Sequence, residues 1–291
     1  MPFFVSVEPA DFCQLECPEC PVGISAKHSG TYITSEKFTK IIEELKNKLI
    51  YMNLYFQGEP LLNKNLPQLI QIAASANIFT TISTNAQALN SEKARQLVES
   101  GLERIIISVD GTNQTVYEQY RKGGKLEKAI AGIEFMNFWK KELASKTPFI
   151  EIQFIVFKTN EHQLPDIKQL AKKLKVDKLS LKSAQIYDFK TGKELLTNFN
   201  RYARYKINDK EELELKNKVR NRCWRQWSGS VMNVKGDVIP CCFDKHSEFV
   251  FGNIADEKFA NIWHNTKISG FRASILQNRK QYDMCKNCTS K

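Results

Sequence analysis

Between Cys20 and Cys223 the chain holds no cysteine, and nowhere in its 291 residues is there an unbroken apolar run of transmembrane length, which takes about 18 residues or more. The opening MPFFVSVEPADFC lacks a basic segment followed by an apolar stretch, so it does not read as a secretory signal. Both absences point to a cytoplasmic protein with no membrane partner. No internal repeat is present, and 42% hydrophobic with 26% charged residues excludes a disordered, collagenous or coiled-coil chain. Acid is in short supply: 32 Asp and Glu face 43 Lys and Arg, a formal charge of +11. The surplus is spread out, and no RRM, KH or zinc-finger signature accompanies it. Lys172, Lys173 and Lys175 read as the solvated face of an amphipathic helix. The charge therefore argues against a nucleic-acid partner and leaves room for an anionic substrate.

What is there is eight cysteines in two groups. Cys13, Cys17 and Cys20 form C-x3-C-x2-C near the start, and Cys223, Cys241, Cys242, Cys285 and Cys288 fall in the last quarter. Grouped cysteines in a reduced compartment bind metal more readily than they form disulfides. Thiolates are soft ligands suited to zinc and to iron–sulfur clusters. Zinc sites normally close with four ligands, and the first group has only His28 nearby as a fourth. Three thiolates suit instead a four-iron cluster that keeps one iron open.

Between the two groups, strand and helix patterns alternate. Strands are expected at Phe3–Val7, Tyr51–Phe56, Ile78–Ser83, Arg104–Val109, Phe149–Phe157 and Lys178–Lys182. Helices are expected from a Ser35 cap through Leu45, from Pro67, from a Ser91 cap to Gly101, after Gly124, and over Leu164–Leu174. Six such units predict an α/β fold, a partial (β/α)6 TIM-like barrel. Barrels of this type gather their chemistry at the C-terminal strand ends. Cys13, Cys17 and Cys20 follow the first strand there, and Gly58-Glu59-Pro60 the second. Ser83, Thr84 and Asn85 end the third, and Ser108 and Asp110 the fourth. Taken singly, Gly58, Asn85 and Asp110-Gly111 are also ordinary turn residues. The polar stretch Tyr187–Val219 reads as a connection with a helix. The expected division is a barrel of residues 1–215 and an extension of residues 216–291.

In this order the motifs resemble the radical S-adenosylmethionine (SAM) superfamily. The resemblance implies that Cys13, Cys17 and Cys20 hold a [4Fe–4S] cluster whose open iron is chelated by SAM. One electron then cleaves SAM to methionine and a 5′-deoxyadenosyl radical, which takes hydrogen from an unreactive C–H bond. It further implies that Gly58 and Glu59 meet the SAM amino group and that Ser83, Asn85, Ser108 and Asp110 line its ribose and methionine. Arg121 would pair with its carboxylate, for which a guanidinium offers a bidentate fork. An electron donor such as a flavodoxin or ferredoxin is implied as partner. One position departs from the family: the aromatic residue expected before the third cysteine is Glu19, leaving adenine packing to residues such as Phe12 or Phe56.

The last quarter resembles the twitch extension, a truncated SPASM domain. Cys223, Cys241, Cys285 and Cys288 would ligate one auxiliary [4Fe–4S] cluster, the second of two, with Cys242 left over. By ligand count alone four cysteines serve a structural zinc equally well. Trp224 and Trp227 flank Cys223 and would either shield a cluster or simply pack; Asp244 and His246 read as turn residues.

The reaction is less constrained. With twelve residues before the first cysteine, no leader-binding domain is expected, which favours a small substrate such as a sugar or aminocyclitol. One expectation is two-electron oxidation, with Lys182 as a base. Another is epimerisation, with the Cys242 thiol returning hydrogen to the opposite face. A third is a maturase acting on a peptide or protein, and a fourth a non-enzymatic electron carrier or zinc-stabilised module.

Overall fold

The computed structural model describes residues 1–25, 30–187 and 192–289; His28 lies outside the described residues. Its strands are β1 (Phe4–Val7), β2 (Tyr51–Asn53), β3 (Phe79–Thr84), β4 (Arg104–Ser108), β5 (Phe149–Val156), β6 (Lys178–Ser183), β7 (Tyr205–Ile207), β8 (Leu213–Leu215), β9 (Gly229–Met232), β10 (Asp237–Ile239) and β11 (Gly252–Asn253). Helices follow β1 to β5 in the order the sequence pattern predicts, giving the mixed α/β class. Packing divides the chain into two compact units. Met1–Asp11, Ser29–Thr80 and Asn217–Lys291 form one, and Phe12–His28 with Thr81–Lys216 the other.

In the first unit β1 lies between β2 and β9. It pairs in parallel with β2, Ser6 opposite Asn53, and in parallel with β9, Phe4 opposite Gly229 and Val7 opposite Met232. β10 runs back along β9 and β11 along β10, both antiparallel. Val5, Val7 and Met52 are fully buried. β2 is shorter than the expected Tyr51–Phe56, because the chain leaves the ladder after Asn53. By Gln57 its backbone N–H has a side-chain acceptor, the Glu8 carboxylate, 3.3 Å away. Pro60 then opens a single 3-10 turn, Pro60–Leu62, consistent with a residue that has no N–H for a ladder.

The second unit carries the parallel succession β3, β4, β5, with Ile82 opposite Ile105 and Ile107 opposite Ile152; β6 follows with Leu181 opposite Phe154. Ile105, Ile106 and Ile107 are buried, as a strand covered on both faces requires. The helix Ser91–Glu99 is capped by Asn90, whose Oδ1 accepts from Lys93 N at 2.9 Å. Likewise Thr34, in the first unit, caps Ser35–Leu45 by accepting from Lys37 N at 3.3 Å. The caps expected at Ser35 and Ser91 thus fall one residue earlier. Both Thr34-Ser35 and Asn90-Ser91 pair two competent caps, and in each the first residue has the extended backbone that a cap needs.

The stretch read as a connection with a helix contains an antiparallel hairpin, β7 with β8, Tyr205 opposite Leu215. Asn208 turns the chain: its Oδ1 accepts from Lys210 N and Glu212 N, both at 2.9 Å. Residues 188–191 of this stretch lie outside the described residues. Among the described residues no helix is long and apolar enough to cross a membrane.

Candidate functional site

In the second unit the three leading cysteines sit on one apolar floor. Cys17 is buried with Leu15, Tyr120, Phe157 and Ile186, and Cys13 and Cys20 pack against that group. The loop admits little change. A Cβ on Gly23 would stand 2.6 Å from Cys17 N and 2.7 Å from Cys17 O, so only glycine allows this close approach. Asn85, just beyond β3, donates from Nδ2 to Cys13 Sγ at 3.3 Å while its Oδ1 accepts from Gln87 N at 2.9 Å. Arg121 lies with its Nη1 3.9 Å from Cys17 Sγ. Burial pushes the Cys17 thiol up, and the Arg121 charge opposes that shift.

Asp110 is fully buried, and protein donors engage both of its carboxylate oxygens. Oδ2 accepts from Arg121 Nε and Oδ1 from Ile155 N, each at 2.6 Å. Beside Asp110 the guanidinium is held protonated against its own burial. Ser83 and Ser108 stand at the ends of β3 and β4, half-buried and buried respectively. Glu19, the departure from the family pattern, is also buried; its Oε2 accepts from Tyr187 N at 2.7 Å. Lys182 is exposed on β6.

In the first unit Glu59 is buried and its Oε1 accepts from Leu61 N at 3.1 Å, fixing the turn that Gly58 enters. Glu8 escaped the sequence reading. Its carboxylate, 3% exposed, accepts from Gln57 N and, at 3.4 Å, from Val234 N, tying the Gly58 loop to the β9–β10 hairpin. Burial raises this carboxyl from an ordinary 4.5 to about 7. Folded protein then binds the extra proton between those two values, so stability falls as pH rises through that window and levels off above it. Glu8→Gln should flatten the fall in urea stability between about pH 5 and 7. An unchanged slope in the variant would remove Glu8 as its source.

Cys223, Cys285 and Cys288 are buried and Cys241 is half-buried. Their thiols are mutual neighbours: Cys241 feels Cys242, Cys288 and Cys285, and Cys285 feels Cys288 and Cys223. Burial pushes the Cys285 thiol up to about 11. The cation among them is Arg279, 1% exposed, which donates to Cys288 Sγ at 2.9 Å and to Arg222 O at 2.8 Å. Nothing in the run Asn278-Arg279-Lys280 separates this arginine from its neighbour on sequence alone. Trp224 and Trp227 are exposed, and Trp224 meets the ring of Phe4 at 5.7 Å. Asp244 is buried in a turn, accepting from Glu248 N and Phe249 N, and His246 is exposed.

Among the described residues no group of three or more His, Cys, Asp and Glu side chains is arranged to hold a lone metal ion. The donor sets nevertheless suit clusters. One is three thiols with an arginine beside them; the other is Cys241 with three thiols, Cys223, Cys285 and Cys288, set about a buried arginine that offsets the charge of thiolates.

Also in the first unit is a cavity of about 240 Å³. It is lined by Phe4 and Ser6 of β1, Asn53 of β2, Tyr55 and Phe56 after it, Arg225, the start of β9, and Pro240, Cys241 and Cys242. Lys245 Nζ stands 4.7 Å from the centre of the Phe56 ring.

Residues 7–137 match the family model of the radical SAM superfamily, and residues 223–289 match SPASM, an iron–sulfur cluster-binding domain. The chain carries a radical SAM domain followed by a SPASM domain. Its cofactors are those of the two domains, [4Fe–4S] clusters and SAM. Among curated relatives, the PqqA peptide cyclase of Bradyrhizobium diazoefficiens is 27% identical over 190 residues, 64% of this chain and 48% of that one. The chain spans about half the length of the first such cyclases it matches. The S-adenosyl-L-methionine-dependent 2-deoxy-scyllo-inosamine dehydrogenase of Niallia circulans is 22% identical over 291 residues, 98% of this chain and 92% of that one. In fold, the chain is similar to BtrN in complex with AdoMet and 2-DOIA, with a TM-score of 0.61, 22% identity, and coverage of 100% and 94%.

Proposed function

We propose that this radical SAM enzyme abstracts hydrogen from a C–H bond of a small hydroxylated molecule, a sugar, aminocyclitol or related metabolite, and oxidises it. The observation that carries the reading is the cavity bordered by Cys241 and Cys242. At about 240 Å³ it holds roughly eight waters' worth of liquid volume, which suits one ring of substrate and not a folded peptide. The near full-length likeness to a dehydrogenase of an aminocyclitol supports the same reading.

SAM bound at the first cluster supplies the hydrogen-abstracting chemistry. In the proposal Cys13, Cys17 and Cys20 bind that cluster within the barrel of residues 1–215. Cys223, Cys241, Cys285 and Cys288 bind the auxiliary one in the extension of residues 216–291. The SAM contacts stay with Gly58, Glu59, Ser83, Asn85, Ser108, Asp110 and Arg121. Arg121 reaches SAM while anchored on Asp110, which sets the angle of its fork. No base is assigned, since Lys182 is exposed. A cytoplasmic location and a flavodoxin or ferredoxin donor complete the proposal.

A second reading, epimerisation, is favoured by one observation: Cys242 lines the cavity without belonging to the ligand set. Its S–H would return hydrogen to the substrate carbon, and the donor's electron with a solvent proton would restore the thiol. Reconstituted enzyme given SAM, reductant and 2-deoxy-scyllo-inosamine or related polyols in D₂O tests both. Oxidation gives a product two mass units lighter; epimerisation gives an isomer carrying one deuterium. Release of 5′-deoxyadenosine stimulated only by peptides would defeat the small-substrate proposal.

A further inference from the structure

The cavity beside Cys241 contains polar atoms that the protein leaves without partners. Arg225 Nε, Asn53 Oδ1 and Ser230 Oγ are all buried and make no hydrogen bond among the described residues. Ser230 is 3% exposed and Ser6, which accepts from Asn53 Nδ2 at 3.1 Å, is 8% exposed. Buried polar groups are normally satisfied, and groups left over call for an explanation. The residues that carry these three atoms line one cavity, which suits a polar ligand.

The character of that ligand follows from Arg225. Among the described residues no carboxylate forms an ion pair with it, and its Cζ stands 5.7 Å from the centre of the Trp224 ring. A guanidinium cannot shed its charge and binds planar anions through paired N–H groups. The cation set among the thiols Cys223, Cys285 and Cys288 is Arg279, not Arg225. Around the same cavity Ser6, Asn53 and Ser230 bring polar side chains for a ligand's hydroxyls, and Phe4, Tyr55 and Phe56 offer apolar faces to ring C–H groups.

Resting on the small-substrate reading, we infer that the substrate is a hydroxylated molecule bearing an anionic group, a carboxylate or a phosphate, and that Arg225 is the residue that binds that group. Asn53 and Ser230 orient its hydroxyls.

The test is calorimetric binding to anaerobically reconstituted, SAM-loaded enzyme, with D-glucuronate, D-glucose 6-phosphate and neutral myo-inositol as probes, alongside iron analysis. An anionic probe should bind about tenfold or more tightly than myo-inositol, and which of the two wins identifies carboxylate or phosphate. Arg225→Gln should erase the preference with iron content unchanged, and Arg225→Lys should retain part of it. The wild-type comparison stands even if a variant folds poorly. Equal binding of myo-inositol and both anions overturns the inference while leaving the small-substrate reading intact. A preference that survives in Arg225→Gln, or iron lost from that variant with the preference kept, also overturns it. Failure of all three probes together with stimulation by a peptide overturns both.

Discussion

Cys17→Ala is expected to abolish SAM cleavage and to remove about four of about eight iron atoms per chain. Cys288→Ser is expected to remove the other four and leave uncoupled release of 5′-deoxyadenosine in place. The asymmetry follows from the two ligand sets. Cys13, Cys17 and Cys20 offer three thiols, so losing one leaves two, too few to retain a cluster that keeps an open iron. In the proposed assignment the second set of four would close its cluster fully, so that cluster would have no vacant iron for SAM. Serine is the better choice at position 288 because Arg279 is 1% exposed and donates to Cys288 Sγ. Alanine would remove one acceptor of that cation while Arg222 O remains, and a buried donor left unsatisfied costs about 1–3 kcal/mol. Iron, sulfide and zinc analysis alongside chromatography of the SAM products checks both variants. SAM cleavage that survives in Cys17→Ala would overturn the first assignment, and one zinc in place of the second four iron would overturn the other.

The parts of this molecule legible in sequence are those encoded locally. Cys13, Cys17 and Cys20 are seven residues apart end to end, and ligand spacing is itself the signal. Ile105, Ile106 and Ile107 announce a strand covered on both faces because β-branched runs have few other uses. Cap positions slipped by one residue because two good caps stand side by side at Thr34-Ser35 and Asn90-Ser91, and only the backbone angles choose between them. The hairpin of β7 and β8 was missed because charged residues such as Lys206 and Glu214 mask its alternation. Its turn depends on Asn208 bonding forward to Lys210 and Glu212.

What stayed hidden were groups whose role depends on residues far away in the chain. Glu8 gains its meaning from Gln57 and Val234, and Arg279 from Cys288 and Arg222. Glu19 was visible as a departure from the family pattern, but its partner, the Tyr187 N–H, was not. Arg225 was overlooked for a different reason. A lone arginine in a chain with 43 basic residues attracts no notice until its side chain is seen to line a cavity.

Asp110→Ala is expected to be the most damaging change outside the cysteines, lowering the free energy of unfolding by about 3–5 kcal/mol. Three segments meet at this residue. Oδ1 holds Ile155 N and Oδ2 holds Arg121 Nε, and the main-chain carbonyl accepts from Asn160 Nδ2 at 3.0 Å. Removing the carboxylate strips a buried N–H of its acceptor and leaves the Arg121 guanidinium, 14% exposed, without its counter-charge. Asp110→Asn separates the two effects, since an amide oxygen can still accept from Ile155 N. It should cost less stability than alanine while releasing Arg121 from its fixed angle. Weakened SAM binding in Asp110→Asn, measured on reconstituted protein, then reports the loss of the Asp110–Arg121 pair or of Asp110's own contact with SAM, and not the integrity of the fold. Arg121→Lys makes the converse test, because an ammonium keeps the charge but is a point donor. It cannot bond Asp110 and still present a planar fork beside Cys17. If Asp110→Asn and Arg121→Lys both bind SAM as wild type does, the pair serves folding alone and the carboxylate of SAM is held by another group.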